Sequence, residues 1–557
     1  MLAREKDASG AWKCDHFFRE LHQSAAEALP EDVACGAAHD PWQEDLAYAS
    51  CSPPLAVSCM YAHAGLAVRY LQHCRLTDLY WQFQAEWGVM LSHQPELGDV
   101  PSYDTFRRRY RSSWEKVLKM RKSSQHKQCN LCFDLQAVLH SAKASWSQKM
   151  EAAQTLRRHQ ADQYHDRVQY WSLRHASRNH EDVLVIIIDD MDHSKFAWPR
   201  WPFGRQPHEL DNVIRPTVTF TAALAHGWGT YLYMAGPQIA GGSDYFLEVL
   251  SQTIEGVMQA CRPSGTLKGR QLPSHLVVVA DNTVKSAKNQ FVLRYLAYIV
   301  GKRIFRSATL FHLMVGHTHE DVDQLFSLVL AFMKRKGQWD SPDEVLQHIQ
   351  DCLQHRAELR RSEEKIVARH LSGVRQFGPW LEGLGATMSG CFRPHKRKSP
   401  DDPDEIPHCF TMVTGHDLTV RQRAMLTTGL QASGVYCCVK MYVRDLNLSQ
   451  EPVLVVHTQA CFTLQPRVPD RVHPREPLSE KQIQMYSKMI DLCEGKFELP
   501  KAALALRQLI FDRSCDVVVL SWLEQPSRQF AAQEAGHAYL PQLPRSCWKL
   551  VVKMRGE

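Results

Sequence analysis

Three short runs of β-forming apolar residues in this chain lead into acids, two of them directly, and that repeated junction constrains the fold more than any other feature. DVLVIIIDDMD carries Asp189 and HLVVVADN carries Asp281. SATLFHLMV leads through GHTHE into Glu320, Asp321 and Asp323. VLVIII and LVVVA are apolar at every position rather than at alternate ones, the pattern of central strands covered on both faces. Between them, PTVTFTAALAH and TYLYMAG alternate around Gly227-Trp228-Gly229, a hairpin signal, and YFLEVLSQTIEGVMQAC reads as a helix.

The order from Val183 is strand, two-stranded hairpin, helix, strand, helix (Asn289 to Val300), strand and helix (EDVDQLFSLVLAFMKRK). This is the order of an α/β, ribonuclease H-like core, in which three antiparallel strands join two parallel ones in a mixed five-stranded sheet. The first and fourth strands of that sheet are neighbours, so Asp189 and Asp281 would meet at one end. Clustered carboxylates repel unless a cation shares them. Two Mg²⁺ (or Mn²⁺) ions roughly 3.5–4 Å apart can activate an attacking oxygen and stabilise a leaving one. Asp189 is assigned the bridging role. The third ligand is Asp323 or Glu320, three residues apart on one helix face, while Asp321 points elsewhere. The competing structural reading makes Asp281-Asn282 a turn and the late acids a favourable helix N-terminus.

A chain of 557 residues exceeds one simple core, and 44% hydrophobic with 23% charged residues is ordinary for a folded protein. No apolar run approaches the roughly 18 residues of a membrane span, and the charged N-terminus lacks a secretory apolar centre. A nuclear, intracellular location is expected. Seventeen scattered cysteines argue for buried or free thiols rather than a disulfide framework. The net charge of +6 is compatible with a polyanionic partner without requiring one.

Five regions are read. Residues 1–55, broken by Pro30, Pro41, Pro53 and Pro54, are expected to be poorly structured. Residues 56–180 form a helical, basic, DNA-binding region that opens on two helices. Residues 181–336 are the ribonuclease H-like core, 337–395 are helical, and 396–557 form a smaller α+β region. Within the second, PSYDTFRRRYRSSWEKVLKMRKSSQHK starts at Ser102 or Asp104 as N-cap. Phe106, Tyr110, Trp114, Val117 and Leu118 make an apolar stripe. Arg107, Arg108, Arg109, Arg111, Lys119, Arg121 and Lys122 make a basic face suited to DNA phosphates, as in a helix-turn-helix. A solvated basic face is the alternative. Cys129-x-x-Cys132 follows, half of a Zn²⁺ site that His126, His140 or a distant pair such as Cys59 and Cys74 could complete; two buried thiols are the alternative. A long connecting helix is expected from Leu135 to about Asn179.

At the acid junctions the chain resembles a group of transposase-derived proteins. The carrying elements are Asp189-Asp190-Met191-Asp192-His193, Asp281-Asn282 with Ala287-Lys288-Asn289, and Gly316-His317-Thr318-His319-Glu320-Asp321-Val322-Asp323-Gln324. The resemblance covers about residues 183 to 335, and more distantly it extends to DDE/D transposases and retroviral integrases. It implies a DNA strand-transferase or nuclease with Asp189, Asp281 and Asp323 catalytic and Glu320 in reserve. The chain departs from the group at Asp190, where a glycine is usual, and at Ala287, where an asparagine is usual. His317 and His319 would orient the carboxylates by hydrogen bonds. Lys195, Arg200, Arg205 and Lys288 are counted with the DNA-contacting residues, and homo-oligomers are the group's habit.

Downstream, QHIQDCLQHRAELRRSEEKIVARHL reads as helical. Lys396-Arg397-Lys398 is a short nuclear-import candidate. GVYCCVKMYV and PVLVVHTQACFTL suggest a small β-rich domain, with helices at Glu480 to Leu492 and Lys501 to Phe511 and a closing strand in SCWKLVVKM. No Gly-rich phosphate loop occurs, so no nucleotide cofactor is expected. Two alternatives accompany the strand-transferase reading: a 3′–5′ exonuclease, suggested by Asp190-x-Asp192, and a non-catalytic domesticated DNA-binding protein. A zinc-stabilised interaction module is a third, weaker reading.

Overall fold

The computed structural model describes residues 2–24, 68–71, 74–120, 129–200, 208–210, 213–267, 269–283, 285–313, 321–359, 364–382, 407–445, 451–457 and 472–511, with single positions 384, 469, 517, 519 and 520. It divides into two compact units, with the boundary after Gln169.

The first unit begins with a helix where the prolines suggested little order. α1 (Leu2–Ser24) buries Cys14, Phe17, Phe18 and Leu21. Those prolines fall after it, outside the described residues. β1 (Arg69–Leu71) stands in place of the first of two expected helices, and α2 (Leu76–His93) follows. The basic segment is not one helix. Ser102 caps α3 (Tyr103–Arg109), accepting from the Thr105 amide at 3.4 Å. A wide π-type turn then closes with Glu115 N donating to Tyr110 O at 2.9 Å. The chain goes on to β2 (Leu118–Met120), which runs parallel to β1. The apolar stripe is the cause. Phe106, Tyr110, Trp114 and Leu118 are all buried against Phe17, Phe18, Leu79, Phe83 and Trp87, with the Phe18 and Phe106 rings 4.6 Å apart. Widening the turn keeps Trp114 on that face, at the expense of helical continuation. α4 (Asn130–His140) and α5 (Trp146–Arg178) replace the single connecting helix.

The second unit is built on one nine-stranded mixed sheet. β3 (Val183–Met191), β4 (Thr219–Ala225) and β5 (Gly229–Ala235) are consecutively antiparallel. β6 (His275–Ala280) runs parallel to β3, and β7 (Ser307–Phe311) parallel to β6. These five have the order and directions expected from the sequence. The hairpin between β4 and β5 turns at Gly227, whose φ is +78° and where a Cβ would lie 2.7 Å from the Arg178 Cα.

β3 is apolar on both sides because both faces are covered. Leu184, Ile186 and Ile188 pack with α6 (Ser243–Cys261) and α7 (Gln290–Gly301). Val183, Val185 and Ile187 pack with α8 (Asp321–Lys336) and α9 (Pro342–Leu359). Each fully buried aliphatic side chain contributes about 1.5–3 kcal/mol, so this strand anchors both layers.

The sheet exceeds five strands because segments read otherwise join its edges. KIVARHL, taken as helix, is β8 (Lys365–Leu371), parallel to β5. α10 (Phe377–Glu382) follows it. β9 (Cys409–Thr414), β10 (Gly434–Lys440) and β11 (Val453–His457) do not make a separate domain; β9 pairs antiparallel with β7, and the others continue outward. α11 (Glu480–Gly495) and α12 (Pro500–Phe511) cover the α8 face. Lys396-Arg397-Lys398 and the expected closing strand lie outside the described residues. Among the described residues no helix is long and apolar enough to cross a membrane.

Candidate functional site

Side-chain alternation and strand register place the acids. Ile188 of β3 is paired with Ala280 of the parallel β6, so the next residues, Asp189 and Asp281, leave adjacent strands at one level. Asp189 continues the Val183, Val185, Ile187 side of β3, the face that α8 covers. Asp323 stands in the first turn of α8. Asp189 is half-buried and its pKa is pushed up to about 7. Burial is the main cause, opposed by the Asp190 amide, which donates to Asp189 Oδ1 at 2.9 Å, and reinforced by the charges of Asp323, Asp281 and Asp190. Asp281 is exposed; its carboxylate accepts from the Asn282 amide at 2.6 Å and the Thr283 hydroxyl at 3.2 Å.

Asp189 therefore feels the charge of both other acids. The three carboxylates are not among the clusters whose donor atoms all lie within 4.8 Å of one another; the described residues hold two such clusters, Cys129–Cys132–His159 and His16–Glu20–Glu86. Glu320, His317 and His319 lie outside the described residues.

Other acids at these junctions are occupied. Asp190 points to the opposite face, where the Thr221 hydroxyl donates to it, and Thr221 lies 2.8 Å from the Tyr245 hydroxyl. Asp192 faces Lys195 at 3.7 Å on the surface. Asp321 is 2.6 Å from Arg174, 3.8 Å from Arg178 and 3.7 Å from His226. It holds the start of α8 to the end of α5.

An open cleft of about 380 Å³ adjoins Asp189, Asp190 and Asp281. Thr221, Tyr245, Lys285 and Ser286 contribute to its polar lining, and Gly241 and Gly242 also line it. Beneath Asp281, His312 Nδ1 lies 3.0 Å from the carbonyls of both Ala280 and Asp281. Burial lowers the pKa of His312 to about 3, so the ring is neutral and its Nδ1–H donates to those carbonyls.

Two of the basic residues assigned to DNA make internal contacts. Lys288 is only 4% exposed, with Nζ 3.4 Å from His408 Nδ1, and burial pushes it down to about 8. It turns inward because the amides of Ala287 and Lys288 both bond Thr283 O, closing the loop before Asn289 caps α7. Arg109 forms a bidentate pair with Asp15 at 2.6 and 2.5 Å, and Trp114 Nε1 donates to the same carboxylate at 3.0 Å. Arg108, Arg111 and Lys119 are exposed. Arg107 is half-buried and pairs with Asp104 at 2.9 Å. Arg121, Lys122 and Arg205 are outside the described residues, and Arg200 bridges to Trp339 through its backbone.

At the Cys-x-x-Cys, His140 is turned to Asp78 at 3.1 Å, and Cys74 packs in another cluster of the unit. His126 and Cys59 are outside the described residues. The imidazole beside Cys129 belongs to His159, 3.4 Å away, which the sequence reading missed. Thr221, Tyr245 and His312 were missed as well.

A family model described as "Domain of unknown function (DUF7869)" matches residues 209–412, under half of the chain. No curated protein matches. A crystal structure of a pre-cleavage Mos1 transpososome is similar at 12% identity over 52% of this chain and 91% of that chain. Its TM-score of 0.22 is too low to define a shared fold.

Proposed function

We propose that the second unit is a ribonuclease H-like nuclease or polynucleotidyl transferase acting on DNA with two Mg²⁺ or Mn²⁺ ions. The observation that carries the reading is the register that brings Asp189 and Asp281 side by side under α8, with the charge of Asp323 acting on Asp189. Hard carboxylate oxygens suit these ions, and Asp189, whose pKa is raised first by burial and then by the neighbouring acids, would regain its charge beside a cation. Asp189 would bridge both ions, Asp281 would hold one, and Asp323, or Glu320, the other. The ions would lower the pKa of the attacking water and neutralise the leaving 3′ oxygen. Asp190 is turned away to Thr221, which argues against the paired-acid arrangement of the exonuclease alternative. Exposed Arg108, Arg111 and Lys119 would contribute phosphate contacts.

A second reading is a DNA-binding protein that has lost the chemistry. It is favoured by the fact that, among the described residues, these acids are not in a group whose donor atoms all lie within 4.8 Å of one another.

Calorimetric titration of the full chain with Mn²⁺, with and without DNA, alongside divalent-dependent nicking of supercoiled plasmid, tests the proposal. Binding and nicking that are lost in Asp189→Asn and Asp281→Asn support it. Comparison of Asp323→Asn with Glu320→Gln identifies the third acid. Equal, negligible metal binding in wild type and Asp281→Asn with DNA present overturns the catalytic reading.

A further inference from the structure

Three soft metal-binding side chains meet in the first unit, outside the region matched by the family model. Cys129 is the N-cap of α4, and Cys132 lies in its first turn. The two-residue spacing therefore puts both sulfurs at one helix end. His159, on α5, supplies Nε2 at 3.4 Å from Cys129 Sγ, and one donor atom from each of the three falls within 4.8 Å of the others. Cys132 is 8% exposed and His159 7%, while Cys129 is half-buried.

We propose that Cys129, Cys132 and His159 bind one zinc ion that staples α4 to α5. Tetrahedral zinc, with bonds of about 2.3 Å to sulfur and about 2.0–2.1 Å to nitrogen, holds such donors roughly 3.5 Å apart, close to the 3.4 Å between Cys129 Sγ and His159 Nε2. Two thiolates and an imidazole select zinc over the hard ions that carboxylates take. Hydrogen bonds join Cys129 to His159 and Cys132 to Cys129; an ion shared by the three donors would replace both contacts.

The packing gives the ion a purpose. The buried core around these helices consists of Ala85, from α2, with Cys132, Leu139, Met150, Ala152, Ala153 and Leu156, and half-buried Trp81, Leu135 and Val138 pack against it. Three of its seven members are alanines, which bury little apolar surface. Small cores of this kind are where a structural metal adds most, because the binding free energy is folding free energy.

The test uses the full chain purified without chelator, with metal content measured by mass spectrometry. About one zinc per chain is expected, falling to near zero in Cys132→Ser and His159→Ala and unchanged in His140→Ala. Since a variant can fail to fold, wild-type protein is also exchanged into Co²⁺. An intense tetrahedral visible band with sulfur-to-cobalt charge transfer is expected, and His159→Cys should keep the metal while strengthening that charge transfer. A wild-type chain that retains no zinc after equilibration with excess ion and dialysis overturns the proposal, as does alkylation of Cys129 and Cys132 at the same rate with and without zinc.

Discussion

Arg174 Nη1 lies 2.6 Å from Asp321 Oδ1, two residues before Asp323 on the first turn of the same helix. Both side chains are largely buried, and Arg178 and His226 approach the same carboxylate. Breaking a buried pair strands its partner's charge. Asp321→Asn should therefore cost about 2–4 kcal/mol in denaturant unfolding. The proposed cleavage should fall with it, since Asp323 follows this anchor on the same first turn. A variant as stable as wild type would show the pair to be incidental.

Asp189 gives a stability prediction of opposite sign. Its folded pKa, about 7, is raised above the unfolded value. Its contribution is therefore fully present below about pH 4 and is lost as pH rises through 7. Without divalent ions, Asp189→Asn should gain about 1–2 kcal/mol at pH 8 and almost nothing at pH 4, after allowance for solvent screening. Wild type should be stabilised by added Mn²⁺ and the variant much less, which thermal melts at the two pH values can read.

His226 responds at the acid end. Burial pushes it down to about 3, with Asp321 opposing and Arg178 and Arg174 adding to the fall, and its Nε2 lies 2.8 Å from the Tyr170 hydroxyl. The unfolded chain takes up this proton near pH 6.5 and the folded chain does not, so stability from this group falls as pH drops from about 6.5 toward 3. His226→Gln should flatten part of that decline in melts between pH 7 and 5. An unchanged slope would mean that another group titrates.

The basic segment separates into two roles. Arg108→Gln and Arg111→Gln should leave stability within about 0.5 kcal/mol, and each should reduce the salt slope of DNA binding by about one. Arg109→Gln should instead destabilise, because Asp15 and Trp114 lose their partner inside the aromatic core. If Arg109→Gln weakens DNA binding at full stability, this division is wrong.

The central strands were legible because their apolar residues are uninterrupted and end in acids, and the hairpin because Gly227 sits between two alternating runs. What the sequence concealed depends on partners far along the chain. Arg109 looks like every other arginine in its run until Asp15, 94 residues earlier, is placed beside it. Lys288 reads as a surface cation until the loop closure turns it toward His408, 120 residues later. KIVARHL lies at a sheet edge, half-exposed and charge-bearing, so neither its periodicity nor its composition marks a strand. His159 was hidden by distance, since no local spacing ties it to Cys129 thirty residues before. The strand ends and helix start that carry Asp189, Asp281 and Asp323 were readable, whereas Thr221 and His312 were not, because a lone hydroxyl within a strand or a lone imidazole after one carries no pattern.

The pairing of β7 with β9 bears on how the chain is made. Ala308 stands opposite Met412 in a strand buried at every position. On a ribosome, β7 emerges about a hundred residues ahead of the strand that covers its open side. For that interval its amides and carbonyls along one edge have no partner, and sequence-distant pairing of this kind is slow. A chain terminated before residue 409 would display that edge permanently and invite pairing with other copies. In the folded chain β9 closes that edge, so the last strands to be made complete the core that precedes them.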